Sequence, residues 1–320
     1  MMPFHRVAAE DFAAVNQRIL DQLHSHVPLV ENIGHYLVEA GGKRLRPLLV
    51  LLCARACGYR GNRHIDLATI IEFIHTATLL HDDVVDTSEL RRGRLTANAK
   101  WGNAPSVLVG DFLYSRAFQM MVALQDMRIM AILSDTTNTI AEGEVEQLVN
   151  AGDPDVGEDS YFTVIHKKTG ALFEAACETA AALAGCTNEV QTALKLYGRH
   201  LGLAFQLVDD VLDYRGNPEA LGKNVGDDLA EGKPTLPLIY TMAKGTRAQA
   251  QLVREAIERH SAEQLSGIVE AIEACGALDY TMEHARVAVD NAKAQLAFLP
   301  DCAQKTALQQ LASFAVEREV

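Results

Sequence analysis

Leu79-Leu80-His81-Asp82-Asp83-Val84-Val85-Asp86 closes a long apolar run, and Gln206-Leu207-Val208-Asp209-Asp210-Val211-Leu212-Asp213 repeats its plan. Each stretch reads Asp-Asp-x-x-Asp after residues of helical period. The outer carboxylates of each motif are four residues apart and share one helix face. Carboxylates at a helix C-terminus meet partial negative charge and are disfavoured there. Two such clusters make sense if a strong cation sits between them. Clustered carboxylate oxygens suit Mg²⁺, which usually keeps several waters and is shared with substrate phosphates. A single acidic cluster reads as well as a solvated face. Two with the same spacing and apolar lead-in, each trailed by basic residues, point to Mg²⁺ ions holding a diphosphate between two helix ends.

The composition of the rest of the chain sets bounds. Its 320 residues are 48% hydrophobic and 22% charged, an ordinary globular balance. The net charge of −13 argues against general nucleic-acid binding. The longest apolar run, Leu48 to Ala54, is far short of the roughly 20 residues of a transmembrane span. The N-terminal stretch has no signal-peptide core, so a cytoplasmic protein is expected. Six cysteines show no zinc-ligand spacing and read as free thiols in a reducing compartment.

Helical period dominates, and no convincing alternating strand is found. Helices are expected over 8–23, 28–40, 45–58, 65–86, 104–124, 127–150, 159–184, 188–213, 235–243, 247–259, 262–274, 277–298 and 303–317. No linker-like composition divides the chain, so an all-α, single-domain bundle spanning 1–320 is expected. On the helix 65–86, His75, Thr78, Asp82 and Asp86 fall on one side, above Ile71, Ala68 and Ile65. The carboxylates would cap a central apolar cavity roughly 25 Å deep, long enough for an extended hydrocarbon tail.

Basic residues are concentrated locally. Gly41-Gly42-Lys43-Arg44-Leu45-Arg46-Pro47 opens a helix, where backbone N–H groups favour anions, although a plain surface turn would read the same way. Leu90-Arg91-Arg92-Gly93-Arg94 follows the first Asp motif, and arginine is suited to bidentate diphosphate recognition. Lys167, Lys168 and Thr169 sit on another helix, and Lys223 and Lys233 follow the second motif.

Taken together, these segments resemble the trans-isoprenyl (polyprenyl) diphosphate synthases, especially the bacterial octaprenyl and related long-chain members. The resemblance spans nearly the whole chain. It rests on Gly-Gly-Lys-Arg-Leu-Arg-Pro (41–47), His75 to Asp86, Arg-Arg-Gly (91–93), Gly-Asp-Phe-Leu (110–113), Lys-Lys-Thr-Gly (167–170), Phe205 to Asp213 and Gly-Lys-Asn-Val-Gly-Asp-Asp (222–228). It implies an all-α isoprenoid-synthase fold, usually a homodimer. Asp82, Asp86 and Asp209, supported by Asp83, Asp210 and Asp213, would hold about two to three Mg²⁺ ions on the allylic diphosphate. Arg91 would grip that diphosphate, while Lys43, Arg46, His75 and Arg92 would bind isopentenyl diphosphate. Lys168, Thr169 and Gln206 would line the allylic side, and Lys223 and Lys233 would add diphosphate contacts.

The implied reaction needs no side-chain nucleophile. Cationic groups neutralise a departing diphosphate, the allylic C–O bond ionises, and the isopentenyl double bond attacks the allylic C1. Loss of a proton, to the released diphosphate, leaves a product one isoprene unit longer. Short-chain relatives carry a bulky aromatic floor near the first motif. Here Ala77 and Thr78 are small, which leaves Met120, Met121, Leu124 and Leu133 as floor candidates or as ordinary core. The expected product is therefore long, octaprenyl from a farnesyl diphosphate primer, destined for quinone side chains. A geranylgeranyl or farnesyl synthase, a terpene cyclase and a non-catalytic subunit of a heteromeric synthase are the alternatives. Two intact Asp motifs count against the last two.

Overall fold

The structure, a computed structural model, describes residues 2–215 and 225–318. The expected helices form nearly where their apolar period places them. Two departures carry information about function. The stretch read as one helix over 159–184 is an α-helix Glu158–Ile165, a π-helical turn His166–Gly170 and a second α-helix Ala171–Leu183. A two-residue antiparallel ladder, Leu90–Arg91 against Arg94–Leu95, also breaks the all-helical pattern. It is too short to show alternation in sequence.

The chain divides into two compact units, each assembled from three separated stretches. The first comprises Met1–Thr137, Leu172–Gly198 and Lys293–Leu311. At its centre, helix Leu45–Ala56 is buried all round, with Leu48 to Ala54 fully inaccessible. A helix apolar on every side belongs in a core. Helix Arg63–Val85 packs on it and along helix Asn103–Leu124. The latter is, among the described residues, the one helix long and apolar enough by composition to cross a membrane. It buries Val109, Leu113, Ala117 and Met121 within this unit. Tyr197 donates its hydroxyl to the Leu308 carbonyl at 2.8 Å, tying two of the unit's distant stretches together.

The second unit comprises Asn138–Ala171, Arg199–Ala292 and Ala312–Val320. The latter part of helix Asn188–Arg215 supplies Leu207, Val208 and Val211 to its core. Helices Leu236–Lys244, Arg247–Arg259 and Leu265–Ala274 contribute Leu238, Val253, Ile257 and Ile268. Helix Arg247–Arg259 begins with a capping box in which Thr246 and Gln249 satisfy each other's backbone N–H groups at 3.3 and 2.8 Å. Its apolar stripe then faces the core.

Candidate active site

In the first unit, helix Arg63–Val85 ends in a left-handed residue, Thr87 (φ 52°), and Ser88 N–H donates to the Asp83 carbonyl at 3.0 Å. This is the six-to-one closure that satisfies a helix's last carbonyls. Asn98 Nδ2 also donates to the Asp83 carbonyl (3.0 Å) and to Ser88 (3.1 Å), fixing the turn after the Asp motif. The chain then enters the small ladder. Arg92 and Gly93 both have positive φ, at 54° and 71°, as a two-residue hairpin turn of this hand requires.

That turn aims the arginines. Arg91 Nε and Nη2 both reach Asp83 Oδ1, at 2.8 and 2.6 Å, and Asp83 is buried. Arg92 folds over Gly42 and donates to the Gly41 carbonyl, an approach that a Cβ at Gly42 would block. Asp82 and Asp86 stay partly exposed, one turn apart on the same helix. Arg46 Nη1 lies 3.1 Å from His75 Nε2, and its guanidinium covers the Phe173 ring at 4.4 Å. Lys43 is exposed, and its carbonyl faces His5 Nε2 at 3.1 Å. Burial pushes the Glu72 carboxyl above its ordinary value, while Arg44, Arg46 and Arg92 pull it back.

Burial, reinforced by Arg46, Arg92 and Arg91, holds the His75 imidazole well below its ordinary pKa of 6.5. His75 is therefore neutral and accepts from Arg46. Below about pH 6.5 the unfolded chain protonates this histidine and the folded chain does not, so stability falls as the pH falls through that window. His75→Gln should lose less melting temperature than the wild type between about pH 7 and pH 5. Thermal melts across that range check it, and parallel losses in the two proteins would refute the neutral state.

A pocket in this unit is lined by Ile19, Leu23, Leu37 and Phe73, with Arg44 and Arg91 at its polar part. It opens on the Glu72, Thr76, Leu79 and Asp83 side of the helix, and neither Ala77 nor Thr78 lines it. Ala77 is fully buried. Thr78 is partly exposed and donates its hydroxyl to the His75 carbonyl at 2.8 Å. Met120, Met121, Leu124 and Leu133 are all buried in the first unit.

In the second unit, the π turn carries Lys167, Lys168 and Thr169. Lys168 Nζ pairs with Glu144 at 2.7 Å and Lys167 Nζ with Glu146 at 2.8 Å. Both glutamates lie on helix Met127–Asn150, which carries Gly143 where it meets the turn. A Cβ at Gly143 would stand 2.7 Å from the Lys167 Cβ and 2.9 Å from the Lys168 nitrogen. Gly143→Val should therefore cost roughly 1–3 kcal/mol and lower turnover by shifting Lys168. A thermal melt and a prenyl-transfer assay read both, and an unchanged rate would show that the turn tolerates displacement.

Thr169 Oγ1 donates to Gln206 Oε1 at 3.0 Å, and Gln206 Nε2 donates to Asp210 Oδ1 at 2.8 Å. The Tyr161 hydroxyl donates to the other Asp210 oxygen at 2.5 Å. Burial, then Asp228, pushes the Asp210 carboxyl well up, and the bonds from Tyr161 and Gln206 oppose the shift. Asp213 is fully buried and accepts from Asp228 N–H at 3.3 Å. Asp209 is half exposed and pairs with Arg318 at 2.7 Å. Arg318 also donates to the Phe205 carbonyl at 2.9 Å and stacks on the Phe205 ring. Lys233 pairs with Glu231, and Lys223 lies outside the described residues.

The six aspartates thus differ in state. Asp83, Asp210 and Asp213 are buried with protein donors on their oxygens, whereas Asp82 and Asp86 are partly exposed and Asp209 is half exposed beneath Arg318. The donor set is hard oxygen, and at Asp209 a guanidinium stands as a cation on the carboxylate. These residues fit Mg²⁺. Among the described residues no three acidic, His or Cys side chains converge into a ready-made cage. Mg²⁺ is bound through one or two carboxylates plus substrate phosphates, so it needs none. Tyr161, Gly143, Glu144 and Arg318 escaped the sequence reading. Of these, a lone glycine inside a helical pattern was a usable signal.

An all-α chain with two Asp-rich helix segments and arginines held beside them is the architecture of a diphosphate-handling prenyltransferase. A family model for polyprenyl synthetase matches residues 27–275. The octaprenyl diphosphate synthase of Escherichia coli K12 is 54% identical over 316 residues, covering 98% of both chains. That of Haemophilus influenzae is 52% identical over 314 residues, covering 98% of this chain and 95% of its own. A crystal structure of a polyprenyl synthase from Caulobacter crescentus, complexed with calcium and isoprenyl diphosphate, superposes with a TM-score of 0.96 at 46% identity, covering 99% of this chain and 98% of the other. The chain belongs to the polyprenyl synthetase family and is a trans-polyprenyl diphosphate synthase. That class works on isopentenyl and allylic diphosphates, and the likeness points to divalent-metal use.

Proposed function

We propose that this enzyme extends farnesyl diphosphate with successive isopentenyl diphosphate units to all-trans octaprenyl diphosphate, using Mg²⁺, as a single catalytic domain. Near-full-length likeness to octaprenyl diphosphate synthases carries this reading. Both Asp motifs are intact, which disfavours a non-catalytic subunit, and Ala77 and Thr78 are small, which disfavours a short product. Asp82, Asp86 and Asp209 would hold the Mg²⁺. Bound there, Mg²⁺ would neutralise the leaving diphosphate. Asp83 instead holds Arg91, which would grip the same diphosphate. Arg46 and Arg92, with Lys43 and neutral His75, bind isopentenyl diphosphate. Thr169 gives its proton to Gln206 and so keeps its oxygen lone pairs for the developing allylic cation, while Lys168 steadies the allylic diphosphate. Lys223 and Lys233 add diphosphate contacts.

Exposed Leu108, Val122 and Met127 in the first unit, and Val145, Leu148 and Val149 in the second, supply apolar surface suited to a homodimer. Six unpaired cysteines suit the reducing cytoplasm. The test is one incubation of purified protein with farnesyl diphosphate, labelled isopentenyl diphosphate and Mg²⁺, with products sized after dephosphorylation. A ladder ending at octaprenyl length supports the reading. A stop at geranylgeranyl length refutes the product, and no incorporation refutes the activity.

A further inference from the structure

Tyr161 stands outside every motif that the chemistry uses, yet it is buried and its hydroxyl is committed. It lies on helix Glu158–Ile165, on the same helical run as Thr169 and just ahead of the π turn. Its hydroxyl meets Asp210 Oδ2 at 2.5 Å, and Asp210 Oδ1 takes the Gln206 amide at 2.8 Å. The Gln206 oxygen in turn receives the Thr169 hydroxyl at 3.0 Å. These contacts close a ring. Two members, Tyr161 and Thr169, belong to one helical run, and two, Gln206 and Asp210, lie one turn apart on helix Asn188–Arg215.

The ring fixes directions as well as positions. Tyr161 and Gln206 both donate to Asp210, so the Gln206 amide presents its N–H there and its oxygen to Thr169. The Thr169 proton is then turned toward Gln206 and its lone pairs away. Without the phenol, one oxygen of a carboxylate that is 1% exposed has lost its donor, and Asp210 can turn to recruit the amide differently. We propose that Tyr161 is a positioning residue for prenyl transfer: through Asp210 and Gln206 it sets the orientation of the Thr169 hydroxyl, with Asp210 serving as an anchor and not as a metal ligand. This rests on the reading above, in which Thr169 faces the allylic cation.

Misplacing a group by about 1 Å can cost about a hundredfold in rate. Tyr161→Phe should therefore slow the single-turnover rate of the first condensation, farnesyl diphosphate plus one isopentenyl unit, by about tenfold or more. KM for both diphosphates and half-saturating Mg²⁺ should stay within about twofold, because the change touches no diphosphate or metal group. In a Thr169→Val background, with no hydroxyl to aim, the same Tyr161→Phe change should have no further effect. A purely structural tyrosine would lower the melting temperature and leave the rate of the folded fraction alone. The proposal is overturned by a wild-type rate in Tyr161→Phe, by an equal loss in the Thr169→Val background, or by a loss that sits in KM. Asp210→Asn provides an independent check should Tyr161→Phe fold poorly. An anchor leaves half-saturating Mg²⁺ unchanged, whereas a rise in step with the lost charge would restore Asp210 to the metal ligands and defeat the proposal. Wild-type protein making no product would bring down the functional reading and this one together. An active wild type beside an unaffected variant counts against Tyr161 alone.

Discussion

Asp82→Ala should lower turnover by about three orders of magnitude while leaving the melting temperature unchanged or slightly raised. The activity loss follows from charge. A divalent cation on a departing diphosphate supplies several kcal/mol, and each 1.4 kcal/mol is about tenfold in rate. The stability gain follows from the helix. Asp82 sits partly exposed in the last turn of helix Arg63–Val85, where the partial negative charge of the helix end opposes a carboxylate and alanine is a better helix former. Asp83→Ala should instead lower the melting temperature and reduce turnover only through a weaker hold on the diphosphate, because it strips Arg91 of its buried partner and loosens the ladder. Turnover assays and melts of both variants separate a ligand from a structural carboxylate. Near-normal turnover of Asp82→Ala would sink the metal assignment.

Thr78→Phe should shorten the product from octaprenyl to farnesyl or geranylgeranyl length without destroying the first condensation. Thr78 is partly exposed, four residues before Asp82 on the same helix, so a phenyl ring there projects one turn below the carboxylates. The cost is the hydroxyl's bond to the His75 carbonyl, a local contact within one helix. Ala77→Tyr is a harsher probe. Ala77 is fully buried, so a tyrosine must displace core at about 1–3 kcal/mol or more. Product sizing by chromatography decides the matter. An unchanged distribution in a folded Thr78→Phe enzyme would show that chain length is set elsewhere.

The helices were legible in sequence because each rests on a local signal. Period marks their length, and clusters of Gly, Asn and Pro such as Gly58 to Asn62 and Gly102 to Pro105 mark their ends. The Asp motifs were legible because identical spacing recurred on two helices. Less visible was the difference among the six carboxylates, since exposure depends on what packs against each one. Asp83 and Asp82 are neighbours in sequence, but Asp83 is buried against Arg91 and Asp82 stays partly exposed. The ladder at Leu90–Leu95 is set by two left-handed residues, one of them an arginine, which composition disfavours. Tyr161 and Arg318 were invisible for a simpler reason. Their partners lie 49 and 109 residues away, and no periodicity links them.

The π turn at His166–Gly170 has a consequence best seen as a change in the gene. Such a turn holds one residue more than the α-helical turn it replaces. A single codon inserted into a regular helix produces it, and deleting a single codon would remove it. Since each residue of an α-helix advances about 100° around the axis, that deletion would swing Lys168 and Thr169 away from Glu144 and Gln206 relative to everything upstream, with the length and apolar character of the helix almost untouched. The placement of the reactive side chains is thus stored in a residue count, and a frame-preserving three-base change is enough to gain or lose it.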